Sequence, residues 1–298
     1  MDQEFATARE PEGRRLSIEL ERLAATTDLE SALPEFFSLP EDVDRLARRI
    51  DEGAIGFVHD TLDEQLGDLL KSRRPGVKPD PELLASMIDV HLGGMPLSDY
   101  GNWVLFPWSR RLVHILPEDE HRELRTDRNR YKITLAEQEK LRAARLGIVG
   151  LSVGNMAAVT LALEGVGGSF HIADFDHLSL SNLNRLRGGV HELNANKTVL
   201  AAREMYEIDP YLDIRRYPAG ITADNIDDFL LGDGRLDLVI EECDDLYLKV
   251  RLRERCRELG IPVVMDTSDR GLFDIERFDT EPDRPLCTAL SAMSAQPA

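Results

Sequence analysis

The sequence has only three cysteines in 298 residues, Cys243, Cys256 and Cys287, and no two of them form a C-x-x-C pair. That spacing excludes a disulfide framework and a four-cysteine zinc site, and it fits a reducing compartment. No run approaches the roughly 18 apolar residues that a membrane helix needs. The opening Met1-Asp-Gln-Glu-Phe5 is acidic and lacks an apolar h-region, so no secretory signal is expected and the expected location is the cytoplasm. Basic charge is also short: 36 Lys+Arg stand against 55 Asp+Glu, a net charge of −19. Nucleic acid is disfavoured as a partner, because non-specific binding needs a cationic surface. A local phosphate site stays open, since backbone N–H groups and nearby cations set the field there. His59, His91, His114 and His121 are scattered without metal-ligand spacing and read as structural or solvated. No internal repeat or low-complexity segment is found.

What is present divides at about residue 125. Residues 1–125 read as a mainly helical region. Apolar residues recur at helical spacing in Leu16/Leu20/Leu23, Val43/Leu46/Ala47/Ile50 and Leu62/Leu66/Leu69/Leu70. Asp80-Pro81 supplies a cap and a first-turn proline to a further helix. Gly101 to Pro117 reads as a short β-hairpin, with Pro107 at an edge or turn. From residue 126 to 298 the pattern alternates, after a capping box at Thr134–Glu137. Strand-like runs at 146–149, 170–174, 236–240 and 262–266 are separated by helical runs near 155–164, 195–207 and 246–259. The expected fold class is α/β, a mostly parallel sheet wrapped by helices.

The first strand runs into Gly150-Leu-Ser-Val-Gly154, which opens three architectures. A Walker phosphate loop needs G-K-[S/T] at its end, and here Asn155-Met156 follows Gly154. The letters G-x-S-x-G also match a nucleophile elbow. Ser152 would then need a histidine base late in the chain, but the last histidine is His191, 39 residues on. A dinucleotide-type turn wants glycine at 152 and 155, where Ser152 and Asn155 stand. Its physical need is a tight turn and close backbone approach to phosphate, which small or turn-tolerant residues can meet. Asp174, 24 residues beyond Gly150, ends the next strand where a carboxylate accepts ribose hydroxyls.

The segment after Asp174 is more specific. Asp174-Phe-Asp176, Ser181-Asn-Leu-Asn-Arg185, Lys197 opening a helix, and Asp209-Pro210 stand in register with one known pattern. The stretch resembles the ubiquitin-activating-type superfamily, whose bacterial members are the ThiF/MoeB/HesA adenylyltransferases, over roughly Arg130 to Phe278. The resemblance implies a Rossmann-like, doubly wound domain that binds ATP and Mg2+. It implies that Gly150, Ser152 and Gly154 line the nucleotide turn and that Asp174 holds the ribose. Asn182, Arg185 and Lys197 would contact the triphosphate, Asp244 would position magnesium, and Arg130 would reach into the partner's site of a homodimer. The implied reaction is attack of a carboxylate on the α-phosphorus of ATP with loss of pyrophosphate, the acceptor being a carboxylate-bearing molecule such as a small carrier protein's C-terminus. The sequence departs from the pattern in a glycine loop one residue short, in Leu186 where glutamine often follows the arginine, and in lacking paired C-x-x-C motifs. Those departures keep a non-catalytic nucleotide- or partner-binding module open as the alternative. An NAD-dependent oxidoreductase is disfavoured because Ser181–Arg185 and Lys197 would have no task. Asp244 could also simply cap the helix near Leu246, and Cys287 could be a thiol nucleophile, with nothing near it but Arg284 to activate it.

Overall fold

The computed structural model describes residues 16–22, 28–266 and 273–286. Cys287 and the last residues lie outside them. The alternating segment forms a six-stranded sheet from β5 (Arg145–Val149), β6 (Ser169–Ala173), β7 (Asp213–Tyr217), β8 (Leu238–Glu241), β9 (Val263–Asp266) and β10 (Phe273–Glu276). Its order is β10-β9-β8-β5-β6-β7; only β10 runs antiparallel. Side chains along a strand alternate faces, and the core divides accordingly. Leu146, Ile148, Phe170 and Ile172 bury against helices α6 (Gly154–Glu164) and α7 (Lys197–Ile208). Val149, Ala173, Val239 and Val263 bury on the other face against α8 (Ile226–Leu231) and α9 (Leu246–Leu259). The sheet is therefore doubly wound, and the chain reverses direction between β5 and β8. Ligand crevices of open α/β sheets lie at that switch point, beyond the carboxyl ends of the strands.

The first third holds the expected hairpin, β3 (Asn102–Phe106) with β4 (Arg111–Ile115), and Pro107 sits in its turn. Two strands not foreseen flank it, β1 (Glu35–Phe37) against β3 and β2 (Phe57–Asp60) parallel to β4. Helices α1 (Val43–Asp51), α2 (Leu62–Arg73) and α3 (Pro81–Leu92) accompany this sheet, and Asp80 caps α3 through the Leu83 N–H at 2.8 Å. The connection to β5 runs through α4 (Glu118–Arg125) and α5 (Leu135–Arg142), the latter opened by the Thr134–Glu137 capping box.

The two sheets share a core. Val104, Phe106 and Ile115 join the cluster that buries Val199, Ala202 and Met205 of α7. Polar contacts close the seam: the Trp108 indole N–H donates to Glu207 at 2.7 Å, and the Tyr211 hydroxyl donates to the Leu116 carbonyl at 2.7 Å. Among the described residues, no helix is long and apolar enough to cross a membrane.

Candidate nucleotide site

The Gly150–Gly154 turn is fastened from three sides. The Gly150 N–H donates to the Ala173 carbonyl of β6 at 2.9 Å, and the Glu242 N–H donates to Val149 at 2.7 Å. The Leu151 N–H donates to Asp174 Oδ2 at 2.6 Å. Gly150 has φ +87°, and a Cβ there would lie 2.7 Å from backbone atoms of Glu242. Only glycine lets the turn lie this close to the loop after β8.

Asp174 and Lys197 meet directly beneath this turn. Lys197 is the first residue of α7 and is only 4% exposed, unusual for a lysine. Its Nζ donates to Asp176 Oδ2 at 2.6 Å and to Ser152 Oγ at 3.0 Å, and stands 3.6 Å from Asp174 Oδ2. The cation that a Walker loop would carry within itself thus comes from a separate helix and meets the turn through Ser152. Asp174, also buried, spends its other oxygen on the Asp176 N–H at 2.8 Å. It braces the turn as well as facing the crevice.

Asn196 holds this arrangement and was not singled out from the sequence. It caps α7 by accepting from the Thr198 N–H at 2.9 Å, while its amide faces the carbonyls of Asp174, Asp176 and Pro218, each at 3.2 Å. The ends of β6 and β7 and the start of α7 are thereby locked together. An S/T/D/N residue before a helical run was the available signal; its three carbonyl partners come from long-range packing.

Asn182 and Arg185 lie on the loop between β6 and α7. The Asn182 side chain accepts from the Ser179 N–H at 3.0 Å and closes a 3-10 turn. Arg185 is exposed, and its hydrogen bonds stay within the loop, to Asn184 at 3.0 Å and Ser181 at 3.5 Å. Leu186, standing where the family often has glutamine, is buried in a cluster with Leu178, Ala195 and Leu200.

Asp244 lies on the loop after β8, across the crevice. The capping role considered for it belongs to its neighbour: Asp245 accepts from the Leu248 N–H at 3.0 Å, and Asp244 is exposed. The loop rests on a buried ionic cluster that sequence reasoning missed. Glu241 accepts from Lys249 at 2.8 Å and pairs with Arg253, which also reaches Glu276 at 2.6 Å. Burial would raise the Glu241 carboxyl, yet Arg253 and Lys249 hold it below its usual value. It therefore stays ionised and accepts from the Cys243 N–H at 2.8 Å, setting the loop's entry angle. Glu242 beside it, raised to about 7 chiefly by burial, accepts from the Asp266 N–H at 2.9 Å.

Arg130 is not in this crevice. It pairs with Asp127 at 2.6 Å and donates to the Ser72 carbonyl at 2.8 Å. It lines a cavity of about 630 Å3 together with Arg142, Gly167 and Gly168, at the amino ends of β5 and β6, opposite the carboxyl ends that face the turn.

Burial pushes the thiols of Cys243 and Cys256 up to about 12. At pH 8 the thiolate fraction is then on the order of 10⁻⁴. Iodoacetamide at that pH should leave both unmodified in the folded chain and alkylate both in urea, read by peptide mass spectrometry; rapid native labelling of half-buried Cys243 would contradict its raised thiol.

Residues 126–270 match the ThiF family. The chain is 44% identical over 246 residues to an uncharacterized protein of Mycobacterium tuberculosis, covering 83% of this chain and 32% of that one. It is 29% identical over 163 residues to the molybdopterin-synthase adenylyltransferase of Haemophilus influenzae, covering 53% of this chain and 65% of that one. The chain thus spans about a third of the first relative and just under two thirds of the second. Among solved structures, E. coli tRNA N6-threonylcarbamoyladenosine dehydratase in complex with ATP is 25% identical, over 48% of this chain and 58% of that one, with a TM-score of 0.42. The glycine turn and the Asp174–Lys197 pair stand at the switch point of the sheet, and residues 126–270, which carry them, are a domain of the ThiF family.

Proposed function

We propose that this chain is an ATP-dependent adenylyltransferase that activates a carboxylate as an acyl-adenylate. The observation that carries the reading is Lys197, a buried cation presented to the glycine turn by Ser152 and two aspartates. A hydride-transfer site needs no such cation, whereas a triphosphate does. Asp244, exposed because Asp245 has taken the cap, would be the one carboxylate offered to a divalent cation held otherwise by phosphate oxygens and water. Magnesium, when bound, would supply charge neutralisation on the phosphate oxygens.

The chain's own residues would then divide the work. With the Gly150 and Leu151 N–H groups spent on Ala173 and Asp174, the N–H groups of Ser152, Val153 and the start of α6 would receive phosphate oxygens. Asp174 Oδ1 retains a lone pair for a ribose hydroxyl. Lys197, Asn182 and Arg185 hold the triphosphate while a carboxylate oxygen attacks the α-phosphorus and the bond to pyrophosphate breaks. Charge builds on the phosphoryl oxygens in that step, so positioned cations lower the barrier. Arg130, by the amino ends of its own strands, would serve the site of a second copy in a homodimer. The acceptor would be a carboxylate-bearing molecule, a small carrier protein's C-terminus being the leading choice. Residues 126–298 would carry the nucleotide chemistry.

ATP–pyrophosphate exchange with magnesium and candidate acceptors tests this. Exchange by wild type, reduced at least about 100-fold in Arg185→Ala and Asp244→Ala, is the expected result. ATP binding without exchange would favour a non-catalytic module, and preference for NADH would overturn both readings.

A further inference from the structure

The loop that carries Asn182 and Arg185 has little regular structure of its own. Between Leu178 and Asn194 it contains two single 3-10 turns, Leu180–Asn182 and Val190–Glu192. Its order comes from an apolar floor in which Leu178, Leu186, Ala195 and Leu200 are buried and Leu183 and Leu193 pack alongside. One further member of that floor is Leu29, from a segment nearly one hundred residues upstream of the ThiF match.

That segment is strapped down by the domain itself. Arg203 of α7, 5% exposed, donates Nε to the Ser31 carbonyl at 2.7 Å and Nη2 to the Asp28 carbonyl at 3.1 Å. Arg216 of β7 reaches the Glu30 carbonyl at 3.4 Å. Asp28 folds the strap by accepting from the N–H groups of Glu30 and Ser31 at 2.9 and 2.8 Å, and Ala32 is buried in the core shared by the two sheets. A buried guanidinium spent on main-chain carbonyls fixes backbone position and asks little of the side chains, so it clamps the strap in one register.

We propose that the strap 28–32 is a built part of the nucleotide site, with Leu29 a positioning residue that fixes the loop bearing Asn182 and Arg185. The inference rests on the adenylation reading for its kinetic arm and on geometry alone for its other arm. The strap makes no contact with nucleotide; it closes the loop's floor against water. Without Leu29 the loop would sample conformations in which Arg185 is out of reach, and the competent fraction would fall. Apparent affinity for ATP scales with that fraction.

The test uses the full chain with Leu29→Ala, the conservative Leu29→Met, and Leu33→Ala, an exposed neighbour, as control. Leu29→Ala should raise the KM for ATP about tenfold with kcat within about twofold, while Leu29→Met and Leu33→Ala stay near wild type. Limited trypsin digestion should cut after Arg185 and Arg187 several times faster in Leu29→Ala alone, and ATP should slow those cuts in wild type. Unchanged KM and unchanged cleavage in folded Leu29→Ala would overturn the proposal. So would a loss traced to unfolding that Leu29→Met also shows. If wild type shows no exchange, the adenylation reading fails, and loop cleavage in the three variants still decides the role of Leu29.

Discussion

Lys197→Met should lower ATP–pyrophosphate exchange by about 10²- to 10³-fold, the range for removing one preorganised donor from a developing oxyanion. Methionine keeps the apolar stem that α7 buries and removes only the charge. The neighbours left behind are not orphaned. Asp174 retains the Leu151 and Asp176 N–H groups, and the Asp176 side chain is half exposed. Urea unfolding should therefore show a loss of no more than about 3 kcal/mol. Lys197→Arg should not rescue, because a planar guanidinium cannot take the compact position of an ammonium 3.0 Å from Ser152 Oγ. Exchange within threefold of wild type in a folded Lys197→Met would remove the cation from the mechanism.

This prediction was half visible in the sequence. Lys197 and Asp174 were marked by their spacing, but the meeting of Lys197 with Ser152 was not. Ser152 reads in sequence as a small residue standing in for glycine, chosen so that backbone can approach phosphate. In the structure its hydroxyl has a second task, as the acceptor that steers Lys197 to the turn. The parallel strands β5, β6, β8 and β9 were legible because buried strands read as continuous apolar runs. β7 was not: Asp213-Ile-Arg-Arg-Tyr217 lies at the sheet's edge and carries two half-buried arginines, so no apolar run marks it. β2 was hidden for the same reason, since all four of its residues are exposed. Asn196 and the strap at 28–32 act through partners from distant segments, and Glu241 through Lys249 and Arg253 of the helix that follows it. Local pattern carries no trace of such pairings, because they depend on how the elements pack. The glycines fall between these cases: their spacing located the turn, while the reason each is glycine needed coordinates.

Gly150→Ala should abolish ATP binding and cost about 2–5 kcal/mol of stability, the largest effect of any single methyl group added in the turn. Two penalties add. At φ +87° an L-residue is strained, and the new Cβ would sit 2.7 Å from the carbonyl carbon and oxygen of Glu242 and 2.8 Å from the Cys243 nitrogen. These are backbone atoms at the start of a loop that is held there twice, by Glu242 N–H on Val149 and by Cys243 N–H on Glu241. Neither can rotate away, so the turn or the loop must shift, and the crevice between them changes shape. Two other glycines calibrate the result. At Gly154 a Cβ would meet Cγ2 of the buried Ile148 at 2.9 Å with no left-handed strain, so the helix start or Ile148 must shift. Gly154→Ala should therefore cost about 1–3 kcal/mol, less than Gly150→Ala, and weaken ATP binding without eliminating it. Gly76→Ala, with nothing within 4 Å of the new methyl, should be neutral or slightly stabilising through the unfolded chain. Urea midpoints and equilibrium ATP binding measured on the three variants should fall in that order, with Gly150→Ala last. A Gly150→Ala chain as stable as Gly76→Ala and still binding ATP would show that the turn does not lie against the loop after β8.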